Sequence, residues 1–349
     1  MDNKNNLGHK KIKGLFVIDI DGTLVDSRKG IPDINIKACN RLYAEFGIVP
    51  VIATARPLEV AKYIANKCGP AFQNYIISTN GAILTDLQSG ENLVEKRLSP
   101  EVTSKLVEIC ERNNLEWEFM TTQEEVAMEQ YKDQRCEDPM YQKMGTEFHY
   151  QKDLKKCLNN LHAQNIPVPL FAISGSAEQL NDINRELNEI GGLSISGLCE
   201  RTNPKGEKIH FVDIMADGAT KSSAIEELSK RLGIPQKAII AIGDGGNDKE
   251  MIEMAGHGVA MKNAKPNLKL VANHVTLLDN EQGGVGYFAV MLLRHLRRKR
   301  NEKNLNRSGR VEAKETVDID DSGMLGRRKE DRLNRQKKVQ ELRREDFER

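Results

Sequence analysis

Two pairs of aspartates in the sequence follow short apolar segments and could do chemistry together. Asp19 and Asp21 flank one residue at the end of the apolar run 15–20, and Gly22 lets the chain turn there. Two close carboxylates repel each other unless a cation or a shared proton relieves them. Mg²⁺ suits such a pair, because it takes carboxylate oxygens and keeps waters or phosphate oxygens as its other ligands. An ordinary Asp-Gly turn has the same residues, so this motif alone does not distinguish a metal site from a turn.

The second pair, Asp244 and Asp248, lies in a glycine-rich turn after the apolar run 239–242, together with Asn247. Asn, Asp and Gly are also the common residues of surface turns. The two motifs together would bring four acidic side chains to two neighbouring strand ends. That combination favours a divalent cation site over two unrelated turns.

Two weaker signals concern anion binding. Thr54 and Ala55 follow the apolar run 48–53 and precede Arg56 and Pro57. A hydroxyl and a backbone amide at the start of a helix can hold an anion. Lys221 stands at the start of another predicted helix, where a lone lysine is usually a solvated surface residue. It is not part of a Walker A loop, because the sequence lacks GxxxxGK[ST] there.

Strands and helices alternate in the segments that must position these residues. Apolar runs at 15–20, 48–53 and 75–78 predict buried strands, and helical spacing predicts helices at 32–46 and after Pro57. The same alternation returns between residues 239 and 278. This pattern predicts an α/β fold with a doubly wound, Rossmann-like parallel sheet. Ligands of such sheets bind at the carboxyl ends of the strands, where the aspartates lie.

The pattern also predicts three parts in the 349-residue chain. Residues 1–83 and 202–293 would form the core, and the more polar segment 84–201 would be an inserted α/β domain. Residues 294–349 contain 19 Lys and Arg against 12 Asp and Glu, although the whole chain carries a net charge of only +1. We expect this basic tail to be disordered or partly helical, because it has few large apolar residues to bury.

Composition excludes several classes of protein. Hydrophobic residues make up 39% and charged residues 30% of the chain, and no stretch approaches the roughly 18 apolar residues of a membrane span. We expect no signal peptide at the N-terminus. The six cysteines form no CxxC pair and no zinc-ligand spacing with histidine. These features predict a cytoplasmic protein with free thiols.

The motifs taken together resemble those of the haloacid dehalogenase-like superfamily. Their order along the chain is Asp19-x-Asp21-Gly-Thr, Thr54, Lys221 and Gly243-Asp244-x-x-Asn247-Asp248. Several further segments resemble the Cof-type subfamily, which carries a type IIB cap: Ser78-Thr-Asn80-Gly81-Ala82, Asp213-Ile214, Met251, Gly258-Val-Ala-Met261 and Asn263-Ala264. The family usually has glycine where this chain has Ala55, so we expect a relaxed turn or a negative φ there.

The resemblance implies a role for each matching residue. Asp19 would be the nucleophile, and Asp21 the general acid and base. Mg²⁺ would be held by Asp19, the backbone carbonyl of Asp21 and Asp244, with Asp248 supporting or joining this set. Thr54, Ala55, Lys221 and Asn247 would contact the phosphoryl group.

The implied function is a Mg²⁺-dependent phosphatase acting on a small phosphorylated metabolite, such as a sugar phosphate or a phosphorylated cofactor. One alternative is a phosphomutase of the same superfamily. Another is a binding role for the tail, whose partner would be a protein, a nucleic acid or an anionic surface. The tail has one aromatic residue, Phe347, which leaves little for base stacking.

Overall fold

The computed structural model describes residues 11–122, 125–128, 139–144, 149–196, 198–202 and 208–307. The strands in these ranges, in chain order, are β1 (Gly14–Ile18), β2 (Ile48–Ala53), β3 (Tyr75–Ser78), β4 (Ile83–Asp86), β5 (Asn92–Glu95), β6 (Glu116–Met120), β7 (Glu125–Met128), β8 (His149–Gln151), β9 (Leu170–Gly175), β10 (Leu193–Ile195), β11 (Cys199–Thr202), β12 (Lys208–Ala216), β13 (Ile239–Gly243), β14 (His257–Ala260) and β15 (His274–Val275). The α-helices are α1 (Asp33–Phe46), α2 (Leu58–Cys68), α3 (Pro100–Arg112), α4 (Pro139–Met144), α5 (Leu154–Ala163), α6 (Ala177–Ile190), α7 (Lys221–Leu232), α8 (Lys249–Met254), α9 (Pro266–Val271) and α10 (Gly284–Arg307).

The first sheet has eight strands in the order β15-β14-β13-β1-β2-β3-β4-β5. Strand β1 lies in its middle and pairs in parallel with both β13 and β2. All five residues of β1 and all five of β13 are buried, which explains their continuous apolar sequence. The predicted α/β fold with a mainly parallel central sheet is confirmed, and the carboxyl ends of β1, β2 and β13 lie side by side.

The second sheet contains the remaining strands and is mixed, with mostly antiparallel pairs. Its order is β10-β12-β9-β6-β7-β8, and β11 pairs with β12. One face packs against helices α3, α5 and α6 around a separate apolar core. Trp117 and Phe171 stack within this core with their ring centroids 5.1 Å apart. The segment between the two halves of the first sheet therefore has its own sheet and its own core.

Sheet membership differs from the domain boundaries predicted at 83/84 and 201/202. Strands β4 and β5 belong to the first sheet, because β4 pairs with β3 and β5 pairs with β4. Strand β12 belongs to the second sheet, where it pairs with β9. Lys96 follows β5 and Gly218 follows β12, so both lie where the chain passes between the two sheets. The ammonium of Lys96 donates to the carbonyl oxygen of Gly218 at 2.7 Å. We propose that the inserted domain extends from about residue 97 to residue 217.

Helix α10 extends to Arg307 and so includes residues 294–307 of the predicted basic tail. Its apolar face still buries Leu293 and Leu296, while Arg297 donates to Glu45 of α1 at 2.8 Å. Long basic side chains can cover apolar surface with their stems, so charge alone did not mark the end of this helix. Residues 308–349 lie outside the described residues, and the predictions for them are not tested. None of the described helices is long and apolar enough to span a membrane.

Candidate active site

A buried lysine joins two of the predicted carboxylates at the carboxyl edge of the first sheet. Lys221 begins α7, and its Nζ lies 2.7 Å from Asp19 Oδ1 and 2.7 Å from Asp248 Oδ1. Its side chain is only 1% exposed. Burial disfavours the charged ammonium, but the two carboxylates outweigh that effect and hold the pKa of Lys221 above its ordinary value. Lys221 is therefore a buried cation, unlike an ordinary lysine at the start of a helix.

Asp244 completes a three-carboxylate cluster with Asp19 and Asp248. One oxygen from each of the three side chains lies within 4.8 Å of the others. Burial, and then the charge of Asp248, raise the pKa of Asp244 to about 6. Burial also raises the pKa of Asp19, because the nearby Lys221 offsets only part of the desolvation. Thr23 Oγ1 orients Asp244 by donating to its Oδ1 at 2.9 Å.

Asp248 is held by the turn in which it lies. Its Oδ2 accepts hydrogen bonds from the backbone amides of Asp244 at 3.0 Å and Gly245 at 2.9 Å. Its Oδ1 accepts from Lys221, so both oxygens are occupied. The side chain is completely buried. Asp248 therefore supports the turn that carries Asp244, and Asp19 and Asp244 keep more free acceptor capacity for a cation.

The carboxylate of Asp21 points to a different set of partners from that of Asp19. Arg56 donates to its two oxygens, from Nε to Oδ2 at 2.6 Å and from a terminal nitrogen to Oδ1 at 2.8 Å. Lys29 also donates to Oδ1. Burial alone would raise the pKa of Asp21, but these two cations outweigh it and hold the pKa well below its usual range. The sequence analysis did not predict this clamp, in which Arg56 and Lys29 hold the carboxylate of Asp21.

Thr54 and Ala55 lie at the carboxyl end of β2, next to β1. The hydroxyl of Thr54 accepts a hydrogen bond from the Arg56 amide at 3.1 Å, which closes a tight turn. Ala55 is absent from the described residues with positive φ, so the alanine fits this turn with a negative φ. Asn247 lies beyond β13, and its Nδ2 donates to Asn80 Oδ1 at 3.0 Å. Asn80 was part of a recognised motif, but nothing in the sequence assigned it this contact.

A substitution at Gly22 tests whether the turn after Asp21 must lie close to Asp244. Its φ is +73°, and an added Cβ would lie 2.3 Å from Asp244 Oδ2. We expect Gly22→Ala to displace this carboxylate and to weaken Mg²⁺ binding by about tenfold, as measured by calorimetric titration. The matched control is Gly90→Ala, because Gly90 has a similar φ of +77° with no atom within 4 Å of the added Cβ. Equal Mg²⁺ affinity in the two variants would contradict the inference that the turn at Gly22 determines the position of the Asp244 carboxylate.

The family model for haloacid dehalogenase-like hydrolases matches residues 16–288. Phosphatase YwpJ of Bacillus subtilis (strain 168) is 27% identical over 290 residues, which cover 77% of this chain and 96% of YwpJ. The 5-amino-6-(5-phospho-D-ribitylamino)uracil phosphatase YitU of the same organism is 27% identical over 281 residues, which cover 78% of this chain and 95% of YitU.

Solved structures agree with this match. A haloacid dehalogenase-like hydrolase from Bacteroides thetaiotaomicron has a TM-score of 0.62 at 28% identity, over 80% of this chain and 99% of that one. The subclass IIB sugar phosphatase BT4131 has the same fold, with a TM-score of 0.63 at 24% identity over 80% of this chain and 98% of that one. The resemblance found in the sequence is confirmed, and the chain belongs to the haloacid dehalogenase-like hydrolase family.

Proposed function

We propose that this chain is a Mg²⁺-dependent phosphatase that hydrolyses a small phosphomonoester through an aspartyl-phosphate on Asp19. The observation that carries the proposal is the buried Lys221 ammonium, which pairs with Asp19 and Asp248 beside the third carboxylate, Asp244. A site with this charge pattern suits a dianionic phosphoryl group and a divalent cation better than a neutral substrate. The relatives YwpJ and YitU, which are named phosphatases, also support the proposal.

The donor set fits Mg²⁺. Carboxylate oxygens of Asp19, Asp244 and Asp248 lie within 4.8 Å of one another, and hard oxygen donors are the ligands that this ion prefers. Asp19 and Asp244 would hold the ion, together with the backbone carbonyl of Asp21 as the family resemblance implies. Asp248 would keep the turn in place. When bound, the ion would neutralise charge on the phosphoryl oxygens and orient them.

The side chains of this protein would carry out two displacement steps. In the first, an oxygen of Asp19 attacks phosphorus, the bond from phosphorus to the substrate oxygen breaks, and Asp21 gives a proton to that oxygen. In the second, Asp21 takes a proton from water, the water oxygen attacks phosphorus, and the bond to Asp19 breaks. Asp21 needs a proton for the first step, so its carboxylate must leave Arg56 and Lys29, which favour its ionised form.

The phosphoryl group would be held by the groups that surround Asp19. The Thr54 hydroxyl and the Ala55 amide would donate to its oxygens from the end of β2, and Asn247 would donate from the end of β13. Lys221 would neutralise charge shared by the nucleophile and the phosphoryl oxygens. Positioning and charge stabilisation of this kind are most of what phosphoryl transfer requires.

The test is a screen of the purified protein against a panel of phosphomonoesters, with sugar phosphates and phosphorylated cofactors included. We expect release of inorganic phosphate from at least one member of the panel. Transfer of the phosphoryl group to a second position of the substrate, without release, would instead identify a phosphomutase. No turnover of any member with Mg²⁺ present would contradict the proposal.

Metal removal makes a further prediction. Treatment with EDTA should lower the hydrolysis rate by about 100-fold or more, because the carboxylate cluster would then face the phosphoryl group without a cation. Added Mg²⁺ should restore the rate. The Asp244→Asn variant should need a higher Mg²⁺ concentration for half-maximal activity than the wild type. Full activity in EDTA would exclude the metal from the reaction.

A further inference from the structure

A chain of two hydrogen bonds leads from Asn247 to the second sheet. Asn247 Nδ2 donates to Asn80 Oδ1 at 3.0 Å, and Asn80 Nδ2 donates to Asp213 Oδ2 at 2.7 Å. We call these three residues the amide relay. Asn247 is exposed, whereas Asn80 is 4% and Asp213 is 6% exposed. The two buried members come from different sheets, because Asn80 follows β3 and Asp213 lies on β12.

The backbone around Asn80 is strained. Thr79 and Asn80 both have a φ of +52°, which asparagine tolerates but a β-branched threonine rarely adopts. Such conformations are costly and persist where the surrounding structure holds them. The next residue, Gly81, lies so close to the chain before Lys221 that an added Cβ would be 2.1 Å from the Thr220 oxygen. The turn is therefore fixed against the start of α7.

The amide relay has a fixed polarity. A carboxylate only accepts hydrogen bonds, whereas an amide side chain has one accepting and one donating end. Asp213 therefore makes Asn80 present its nitrogen to β12 and its oxygen to Asn247. Asn80 in turn makes Asn247 present its nitrogen, and the second hydrogen on that nitrogen stays available. The backbone of Asp213 is itself fixed, since its amide donates to Ser196 Oγ at 2.8 Å.

We propose that Asn80 is a positioning residue, which uses Asp213 of the second sheet to fix Asn247 as a hydrogen-bond donor to the phosphoryl group. This inference rests on the proposed function, because it assumes that Asn247 contacts phosphate. It adds that phosphate binding depends on the position of the second sheet, since that sheet supplies the terminal carboxylate. With the polarity reversed, the oxygen of Asn247 would face an anion and repel it.

The test is Asn80→Asp, which changes one group while keeping the size of the side chain. Aspartate also tolerates a positive φ, so the backbone conformation is preserved. The new carboxylate has no hydrogen to donate to Asp213 and is repelled by it, so residue 80 is displaced from the position in which it accepts from Asn247. We expect the inhibition constant of inorganic phosphate and the KM of a phosphomonoester to rise about tenfold.

A charge swap provides the rescue. In Asn80→Asp/Asp213→Asn the new asparagine donates to the new aspartate, which accepts from Asn247 as before. We expect this double variant to return the phosphate inhibition constant to within about threefold of the wild type. The double variant has the same number of hydrogen bonds in the amide relay as the wild type. It therefore tests the relay even if Asn80→Asp alone lowers the fraction of folded protein. The control is Asn114→Asp, because Asn114 is exposed and has a φ of +51°. It should leave the inhibition constant unchanged.

The Asn247→Ala background distinguishes a positioning role of Asn80 from a purely structural one. In Asn247→Ala, the further change Asn80→Asp should add no more than about twofold to the phosphate inhibition constant, because the group that it positions is gone. An equal increase in both backgrounds, or no recovery in the swapped variant, would overturn the proposal.

A separate measurement distinguishes failure of the amide relay from failure of the proposed function. If no phosphomonoester is hydrolysed, the proposed function fails. The affinity for inorganic phosphate in the presence of Mg²⁺, measured by calorimetry, can still be compared between the wild type and Asn80→Asp. A wild type that binds no phosphate overturns the amide relay as well.

Discussion

The Asp19→Asn variant should have at least about 1,000-fold lower phosphatase activity than the wild type, since it lacks the carboxylate oxygen that we propose attacks phosphorus. An amide has the same shape as the carboxylate, so the variant still fills the space beside Lys221. It cannot form the proposed aspartyl-phosphate, however, because an amide oxygen is a far weaker nucleophile than a carboxylate. The loss should appear in kcat for every phosphomonoester that the wild type hydrolyses.

The fold should survive this change. Burial raises the pKa of Asp19, which means that the folded protein carries a desolvation penalty for the ionised form of this carboxylate. The amide removes that penalty, and Lys221 keeps its contact with Asp248. In the absence of Mg²⁺ we therefore expect the melting temperature of Asp19→Asn to equal or exceed that of the wild type.

The measurement needs a control for the loss of one negative charge. Asp182→Asn serves, because Asp182 is exposed on α6, within the inserted segment. It should keep both the activity and the melting temperature of the wild type. Substantial turnover by Asp19→Asn, with the asparagine verified by mass spectrometry against deamidation, would assign the nucleophile to another residue.

The carboxylate cluster could be predicted from the sequence because one simple rule brings its members together. Asp19 follows β1 and Asp244 follows β13, and parallel strands that pair side by side bring their carboxyl ends to one edge. Lys221 could not be placed by that rule, since nothing local distinguishes it from a solvated lysine. Only the joint order of the motifs predicted a shared site.

The contacts that the sequence could not predict join segments far apart in the chain. The clamp on Asp21 requires Arg56, 35 residues away, and the contact from Asn80 to Asp213 spans 133 residues. Hydrophobic periodicity predicts elements and the faces they bury, but not which polar side chains meet where two sheets touch. The pairing of polar β5 with the first sheet was not predicted for a related reason, because it is made through the backbone.

The Lys221→Met variant should show the largest combined effect on activity and stability. Lys221 is buried between two carboxylates at 2.7 Å, and methionine has nearly the same length without the charge. Removing one partner of a buried ionic cluster leaves uncompensated charge, which costs about 3–5 kcal/mol. Loss of the same charge from the proposed phosphoryl site should lower kcat/KM by about 100-fold or more.

The pH dependence of this stabilisation follows from the direction of the pKa shift. The folded protein holds the pKa of Lys221 above the ordinary value of 10.5. The stabilisation is therefore complete below pH 10.5 and is lost only as the pH rises through the higher pKa of the folded state. The difference in stability between the wild type and Lys221→Met should accordingly persist at neutral pH, measured by urea unfolding. The exposed Lys105 provides the control, and Lys105→Met should match the wild type.

The response to Mg²⁺ should distinguish the contribution of Lys221 to stability from its proposed contribution to activity. In the variant, Asp19, Asp244 and Asp248 remain within reach of one cation, so a bound Mg²⁺ can replace part of the lost positive charge. We therefore expect Mg²⁺ to raise the melting temperature of Lys221→Met by more than that of the wild type. Activity should stay low even at saturating Mg²⁺, because a metal ion cannot occupy both its own position and that of the ammonium group. Recovery of wild-type kcat/KM with Mg²⁺ would show that Lys221 serves the fold alone.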